Sequence, residues 1–153
     1  MKRKNNRLTD INYHRHNAYY LTLCSNNKRT FFSKPNVIKV CLKNLLKVAI
    51  KLDSKLWVYC FMPDHLHLLL ETDNCSKTIK LFKQLSGYEF KQNTGKQLWQ
   101  KSYYDHIIRD SENFQEVIKY ILNNPVRAGL VKHYLDHPYS GSFEFNIKEF
   151  VEG

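Results

Sequence analysis

Residues Leu56 to Glu71 read LWVYCFMPDHLHLLLE, two short apolar runs on either side of Met-Pro-Asp-His. Runs of this length, rich in β-favouring residues and bounded by turn residues, are strand signals. Pro63 lacks the N–H that an interior ladder position must donate, so it belongs in a turn. Leu56 to Phe61 and Leu66 to Glu71 are therefore expected as adjacent antiparallel strands joined tightly. At the start of the second run stand His65 and His67, two residues apart. Successive strand residues point to opposite faces, so both imidazoles share one face while Leu66 turns to the other. Two neutral imidazoles on one rigid face can converge on a divalent cation and leave positions open for oxygen ligands and a phosphate. The plainer alternative is two polar residues on the solvated face of a half-buried strand. His14 and His16 repeat the spacing. Arg15 separates them in a polar, basic arm with no apolar strand to hold two ligands, so His65 and His67 are the stronger pair.

Upstream, AYYLTLCS from Ala18 to Ser25 reads as a first strand, followed by the turn-like NNKR. From Pro35 to about Leu52, apolar residues recur at Ile38, Cys41, Leu42, Leu45, Ala49 and Leu52, the spacing of one helical face. Downstream, Ser76 to Gln92 predicts a second helix with Ser76 as its cap, ended by Asn93-Thr94-Gly95. Leu98 to Arg109 is ambiguous and is expected as a strand or loop returning to the sheet. Asp110 or Ser111 offers the cap of a third helix whose Phe114, Val117, Ile118 and Ile121 face inward, stopped near Asn124 by Pro125. The order βαββαβα, with helices beside a mostly antiparallel sheet, predicts an α+β fold of ferredoxin-like character. No linker or repeat divides the chain, which favours a basic arm at 1–17, one domain at 18–140 and a tail at 141–153.

The 153 residues, 42% of them hydrophobic, suffice for one buried core. Lys and Arg number 24 against 14 Asp and Glu, a formal charge of +10 that suits a polyanion better than an acidic small molecule. Ten Tyr and nine Phe supply rings on which unpaired bases can stack. Cys24, Cys41, Cys60 and Cys75 form no CxxC pair, so neither a zinc ribbon nor a disulfide framework is expected. The basic start MKRKNNRLTD leads into no apolar segment of signal-peptide or membrane-span length, so a cytoplasmic protein without a membrane partner is expected.

A second constellation is YYDHIIRDSENFQEVIKYILNNPVRAGLV, Tyr103 to Val131. On a helix of 3.6 residues per turn, Tyr120 and Asn124 lie one turn apart on the same side and can point into one cleft. FMPDHLHLLLE followed some fifty residues later by Tyr-Ile-Leu-Asn-Asn-Pro-Val and Ala-Gly-Leu-Val resembles the REP-associated tyrosine transposases, part of the group of single-tyrosine transposases with a His-hydrophobic-His motif. The resemblance implies a metal-dependent endonuclease and strand transferase for single-stranded or hairpin DNA. It also implies that His65 and His67 bind magnesium or manganese with Asn124 one turn beyond the tyrosine, and that Tyr120 attacks phosphorus to give a 5′-phosphotyrosine. A monomer is expected rather than a homodimer. Arg15, Lys101, Arg109 and Arg127 are candidate contacts to the DNA backbone. Tyr103 and Tyr104 are rival nucleophiles whose placement in a doubtful strand fits core and base-stacking use better. Two other functions stay open: a non-catalytic single-strand-binding module and a structural metal protein.

Overall fold

The computed structural model describes residues 17–109 and 113–150. Strand β1, Asn17–Cys24, alternates: Tyr19, Leu21 and Leu23 enter the main core, while Ala18 and Tyr20 face the other side. Helix α1, Pro35–Lys51, begins with proline in its first turn, where a missing N–H leaves no bond unmade. It buries Val37, Ile38, Cys41, Leu45 and Val48. Strands β2, Lys55–Met62, and β3, His65–Thr72, form the expected hairpin around Pro63 and Asp64. Helix α2 spans Cys75–Thr94 and is closed by Gly95 in the left-handed region. Strand β4, Tyr104–Ile107, resolves the ambiguous stretch as an edge strand on β1. Helices α3, Phe114–Leu122, and α4, Asn124–Arg127, and strand β5, Ser140–Gly141, complete the chain. The sheet order is β4-β1-β3-β2-β5 with every pairing antiparallel, the predicted α+β class.

Two helix starts differ from expectation. Asn74, rather than Ser76, caps α2, its side chain accepting from Lys77 N at 3.0 Å. Asn113 caps α3 in the same way, accepting from Glu116 N at 3.2 Å; of the expected caps, Asp110 and Ser111 lie outside the described residues. An asparagine oxygen satisfies a first-turn N–H as well as a serine does, and the two sequences offered both. Helix α3 also ends earlier than expected. Pro125 has no N–H to give back to Ile121, so the chain breaks at Asn123 and restarts as α4, with Asn124 as its first residue.

Helices α1 and α2 cover one face of the sheet through Leu21, Leu66, Leu68 and Leu70. The other face is covered only in part, by Ile118, Ile121 and Leu122 of α3 packing on Val58, Cys60, Met62 and Leu69. Fully buried apolar side chains of this size contribute about 1.5–3 kcal/mol each, so this partial cover is firmly held. Residues beyond 140, expected as a tail, are described as far as Phe150 and lie against the domain: Gly141 pairs with Tyr59, and Phe145 and Phe150 pack on the α3 side. A β-bulge at Trp57 shifts the register between Leu56 and Val58. It puts Val58, Cys60 and Met62 on the face that carries the histidines, although Leu56, with the same parity, sits in the opposite core.

Gly141 is required for a steric reason. A Cβ there would lie 2.5 Å from Tyr59 Oη and 2.7 Å from its Cζ. The Tyr59 ring is itself wedged between Phe61 and Phe143. Gly141→Ala is expected to destabilise the domain by about 1–3 kcal/mol. Gly87→Ala, inside α2 with its nearest neighbour 3.7 Å away, is expected to stabilise by about 1 kcal/mol. Urea denaturation of the two variants measures both signs.

Candidate active site on the open face of the sheet

The strand register places three rows of side chains across the face that α3 leaves partly open. One row is Cys24, His65 and Met62; the next is Tyr104, Thr22, His67, Cys60 and Ser140; the third is His106, Tyr20, Leu69 and Val58. His65 and His67 therefore point the same way, as their spacing predicts, with His67 buried to 7% exposure and His65 half-buried. Their Nε2 atoms approach to 3.0 Å.

The far sides of both rings are held. His65 Nδ1 lies 2.6 Å from Asp64 Oδ1. A carboxylate only accepts, so this nitrogen carries the proton and a neutral His65 presents a bare lone pair at Nε2. His67 Nδ1 lies 3.2 Å from Thr22 Oγ1 and 3.4 Å from Tyr20 Oη. Hydroxyls rotate to donate or accept, so this side suits either His67 tautomer. Burial, then the neighbouring His65 and the Arg127 charge, push the His67 pKa down to about 3. His67 is thus held neutral, the form that ligates metal.

The pair fits a divalent cation on its donor chemistry and spacing. Two nitrogens bound at about 2.1 Å and at right angles lie about 3.0 Å apart, the separation found. Among the described residues no group of three or more His, Cys, Asp and Glu side chains is assembled that could hold a metal. Any further ligands would be amide, phosphate or water oxygens, the set that magnesium and manganese prefer.

Tyr120 is 53% exposed on α3. Its ring meets that of Tyr20 edge-on at 6.3 Å, and Tyr20 in turn packs on His67 at 5.7 Å, so one aromatic residue bridges tyrosine and histidine. Burial, and next the proximity of Tyr120, raise the Tyr20 pKa to about 12, which keeps its hydroxyl protonated. The Arg127 guanidinium stacks 3.7 Å above the Tyr120 ring and donates to the Tyr120 carbonyl at 2.8 Å. Asn123 uses its amide to bond back to Lys119 O, whereas the half-buried Asn124 side chain has no hydrogen-bond partner among the described residues.

The remaining predicted contacts are not gathered here. Ile108 N bonds to Ala18 O, so Arg109 sits across from Asn17 at the opposite end of β1 from Thr22, about 17 Å along at strand rise. Lys101, three residues before β4, lines a groove beside α2. Arg15 and the His14/His16 pair lie outside the described residues. Tyr104, placed provisionally in a core or stacking role, is 40% exposed and shares the His67 row, while Tyr103 is half-buried with Lys83 Nζ 5.7 Å from its ring. Sequence reasoning missed Asp64, Thr22 and Tyr20. Only Asp64 carried a signal, its place next to His65 in the turn.

Acid should loosen this site. The unfolded His67 protonates near pH 6.5 and the folded one near 3, so between these values the unfolded chain binds the extra proton. The stability contributed is fully present above about pH 6.5 and is lost as pH falls through that window, by about 2–3 kcal/mol at pH 4.5. Urea denaturation in chelator at pH 7 and 4.5 checks this; His67→Gln is expected to flatten the dependence.

An antiparallel sheet thus presents paired histidines beside a helix tyrosine. The family described as "Transposase IS200 like" matches residues 13–124, and the chain belongs to it. A Haemophilus influenzae protein provisionally named a REP-associated tyrosine transposase is 35% identical over 58% of this chain and 58% of its own length. The Escherichia coli REP-associated tyrosine transposase is 31% identical over 55% of this chain and 50% of its own length. This chain thus matches between half and three-fifths of the length of these two relatives. A solved REP-associated tyrosine transposase bound to a REP hairpin superposes with a TM-score of 0.70 at 22% identity, covering 84% of this chain and 78% of that one. The chain is accordingly an enzyme of a transposase family that acts on DNA. Among the described residues no helix is long and apolar enough to cross a membrane.

Proposed function

We propose that this protein nicks and transfers single-stranded DNA next to a hairpin, with Tyr120 as the nucleophile and His65, His67 and Asn124 as the residues that hold a magnesium or manganese ion. One observation carries the reading: the two imidazole Nε2 atoms converge to 3.0 Å while their other nitrogens are tied to Asp64 and Thr22. When bound, the ion offsets negative charge on the phosphate oxygens and orients the phosphodiester.

The chain's own residues account for the rest. The Tyr120 phenolic oxygen forms a bond to phosphorus, the bond from phosphorus to the 3′ oxygen breaks, the phenol gives up its proton and the departing oxygen gains one. One phosphodiester replaces another, so the strand can be rejoined without a nucleotide cofactor. Arg127, beside the Tyr120 ring, offers a positive charge to a phosphate brought there. Asp64 holds the proton on His65 Nδ1 and so keeps its Nε2 lone pair facing the site.

End-labelled hairpin oligonucleotides test the reading. Cleavage is expected only with added magnesium or manganese, giving a free 3′-hydroxyl and a 5′ fragment end that stays with the protein through denaturation. Tight binding with no nick at any metal concentration would instead establish a binding module.

A further inference from the structure

A groove of about 690 Å3 runs between α2 and residues 97–103, on the side of the sheet away from the histidines. Its walls carry Lys80, Lys83, Lys91 and Lys101 and no carboxylate. Lys83 serves the fold, donating to the carbonyls of Gln100 at 2.6 Å and Lys101 at 2.9 Å. Lys80, Lys91 and Lys101 are exposed, and among the described residues none of them is in an ion pair. The neighbouring groove between α1 and α2 also carries lysines, Lys34, Lys39 and Lys43, but it holds a carboxylate, Glu89, which pairs with Lys43 at 2.6 Å. The floor of the basic groove is apolar, with Ile79, Leu98 and Trp99, and Tyr88 stands on its rim at 69% exposure.

This groove leads to the histidines. Gln100 and Tyr103 line it and also line a small hollow of about 80 Å3 on the other face, together with Thr22, Lys28 and Tyr104. Thr22 is the residue whose hydroxyl meets His67 Nδ1. Two shared walls therefore join α2 to the His67 row around the β4 edge.

We infer that this track binds the single-stranded DNA flanking the scissile phosphate, with Lys80, Lys91 and Lys101 on its phosphates and Tyr88 stacking an unpaired base. The inference rests on the function proposed above. A path that bends around a sheet edge suits a flexible single strand and not a duplex, whose persistence length is about 50 nm. Exposed rings over an apolar floor, rimmed by cations, are the usual means of holding unpaired bases.

The test compares wild type with Lys80→Glu/Lys91→Glu and with Tyr88→Ala, using hairpin oligonucleotides whose single-stranded flank on either side is absent or roughly 4 or 16 nucleotides long. Wild type is expected to bind tighter as one of the two flanks lengthens. The double variant should lose most of that gain, at least about tenfold, and its salt slope on the long flank should shrink by about 1.4. Tyr88→Ala should lose about tenfold on the long flank and nothing without it. Lys39→Glu/Lys51→Glu on α1 changes the charge equally and should keep the gain. The inference is overturned if wild type gains nothing from either flank, if the α2 variants keep the full gain, or if the α1 control loses as much. Nicking of the short-flank oligonucleotide separates the two ideas: its absence in wild type counts against the proposed function, whereas nicking without any flank effect counts against the track alone.

Discussion

Tyr120→Phe is expected to abolish the covalent protein–DNA species and to lower strand cleavage on the order of 10⁴-fold or more, because loss of a nucleophile removes the reaction it begins. The substitution deletes one oxygen. The ring that Arg127 stacks on at 3.7 Å and that meets Tyr20 edge-on at 6.3 Å remains. The side chain is half-exposed, so stability should change by no more than about 0.5 kcal/mol, and hairpin affinity should stay near wild type. A labelled oligonucleotide run on a denaturing gel reports the adduct directly. Tyr104→Phe is the decisive companion, because the register sets Tyr104 in the same row as His67. It should retain the adduct. An adduct that survives in Tyr120→Phe and disappears in Tyr104→Phe moves the nucleophile to β4.

Removing either histidine should be nearly as damaging. His65→Ala and His67→Gln are each expected to lower metal-dependent cleavage by about 10²–10³-fold, the scale associated with losing a principal electrostatic stabiliser of a developing charge. Under the proposed function, hairpin binding through cations elsewhere on the surface should persist. Glutamine at 67 keeps a polar side chain in a site only 7% exposed and so limits any cavity left in the fold. Asp64→Ala should act more mildly. It releases the Nδ1 proton of His65 from its 2.6 Å contact and should reduce cleavage or metal affinity by about 10–100-fold, with part of the loss recovered at higher metal concentration. Titrations of cleavage against magnesium for the three variants separate lost ligands from a loosened one. Equal, metal-independent loss in all three would mean that the histidines support the fold instead of a cation.

Most of the scaffold follows from short-range rules. Pro63 and Asp64 between two apolar runs specify a hairpin, and period-two alternation then commits His65 and His67 to one face whatever the rest of the chain does. The helical spacing of Ile38, Cys41, Leu45 and Ala49 is equally local. Other features were not legible because two local choices were equally good. Asn74 and Ser76 are both acceptable caps, and in the fold the helix starts at Cys75 behind the asparagine. The bulge at Trp57 left no mark in the composition of β2, yet it determines which face Val58 and Cys60 occupy.

From its residues alone the chain specified the paired imidazoles and the order of strands and helices, since each depends on neighbours within a few positions; the relation of Tyr120 to Asn124 was not fixed that way, because α3 ends at Leu122 and Asn124 opens α4. The supporting contacts came from folding: Thr22 and Tyr20 on His67, Arg127 on Tyr120, and Gln100 and Tyr103 shared between the α2 groove and the histidine face. These partners are brought together by strand pairing and helix packing across long stretches of chain, and no spacing rule encodes such a meeting. The same reason explains why Arg109, one cation among many in the sequence, ended at the opposite end of β1 from Thr22. Charge is written in the sequence, whereas distance exists only once the sheet has closed.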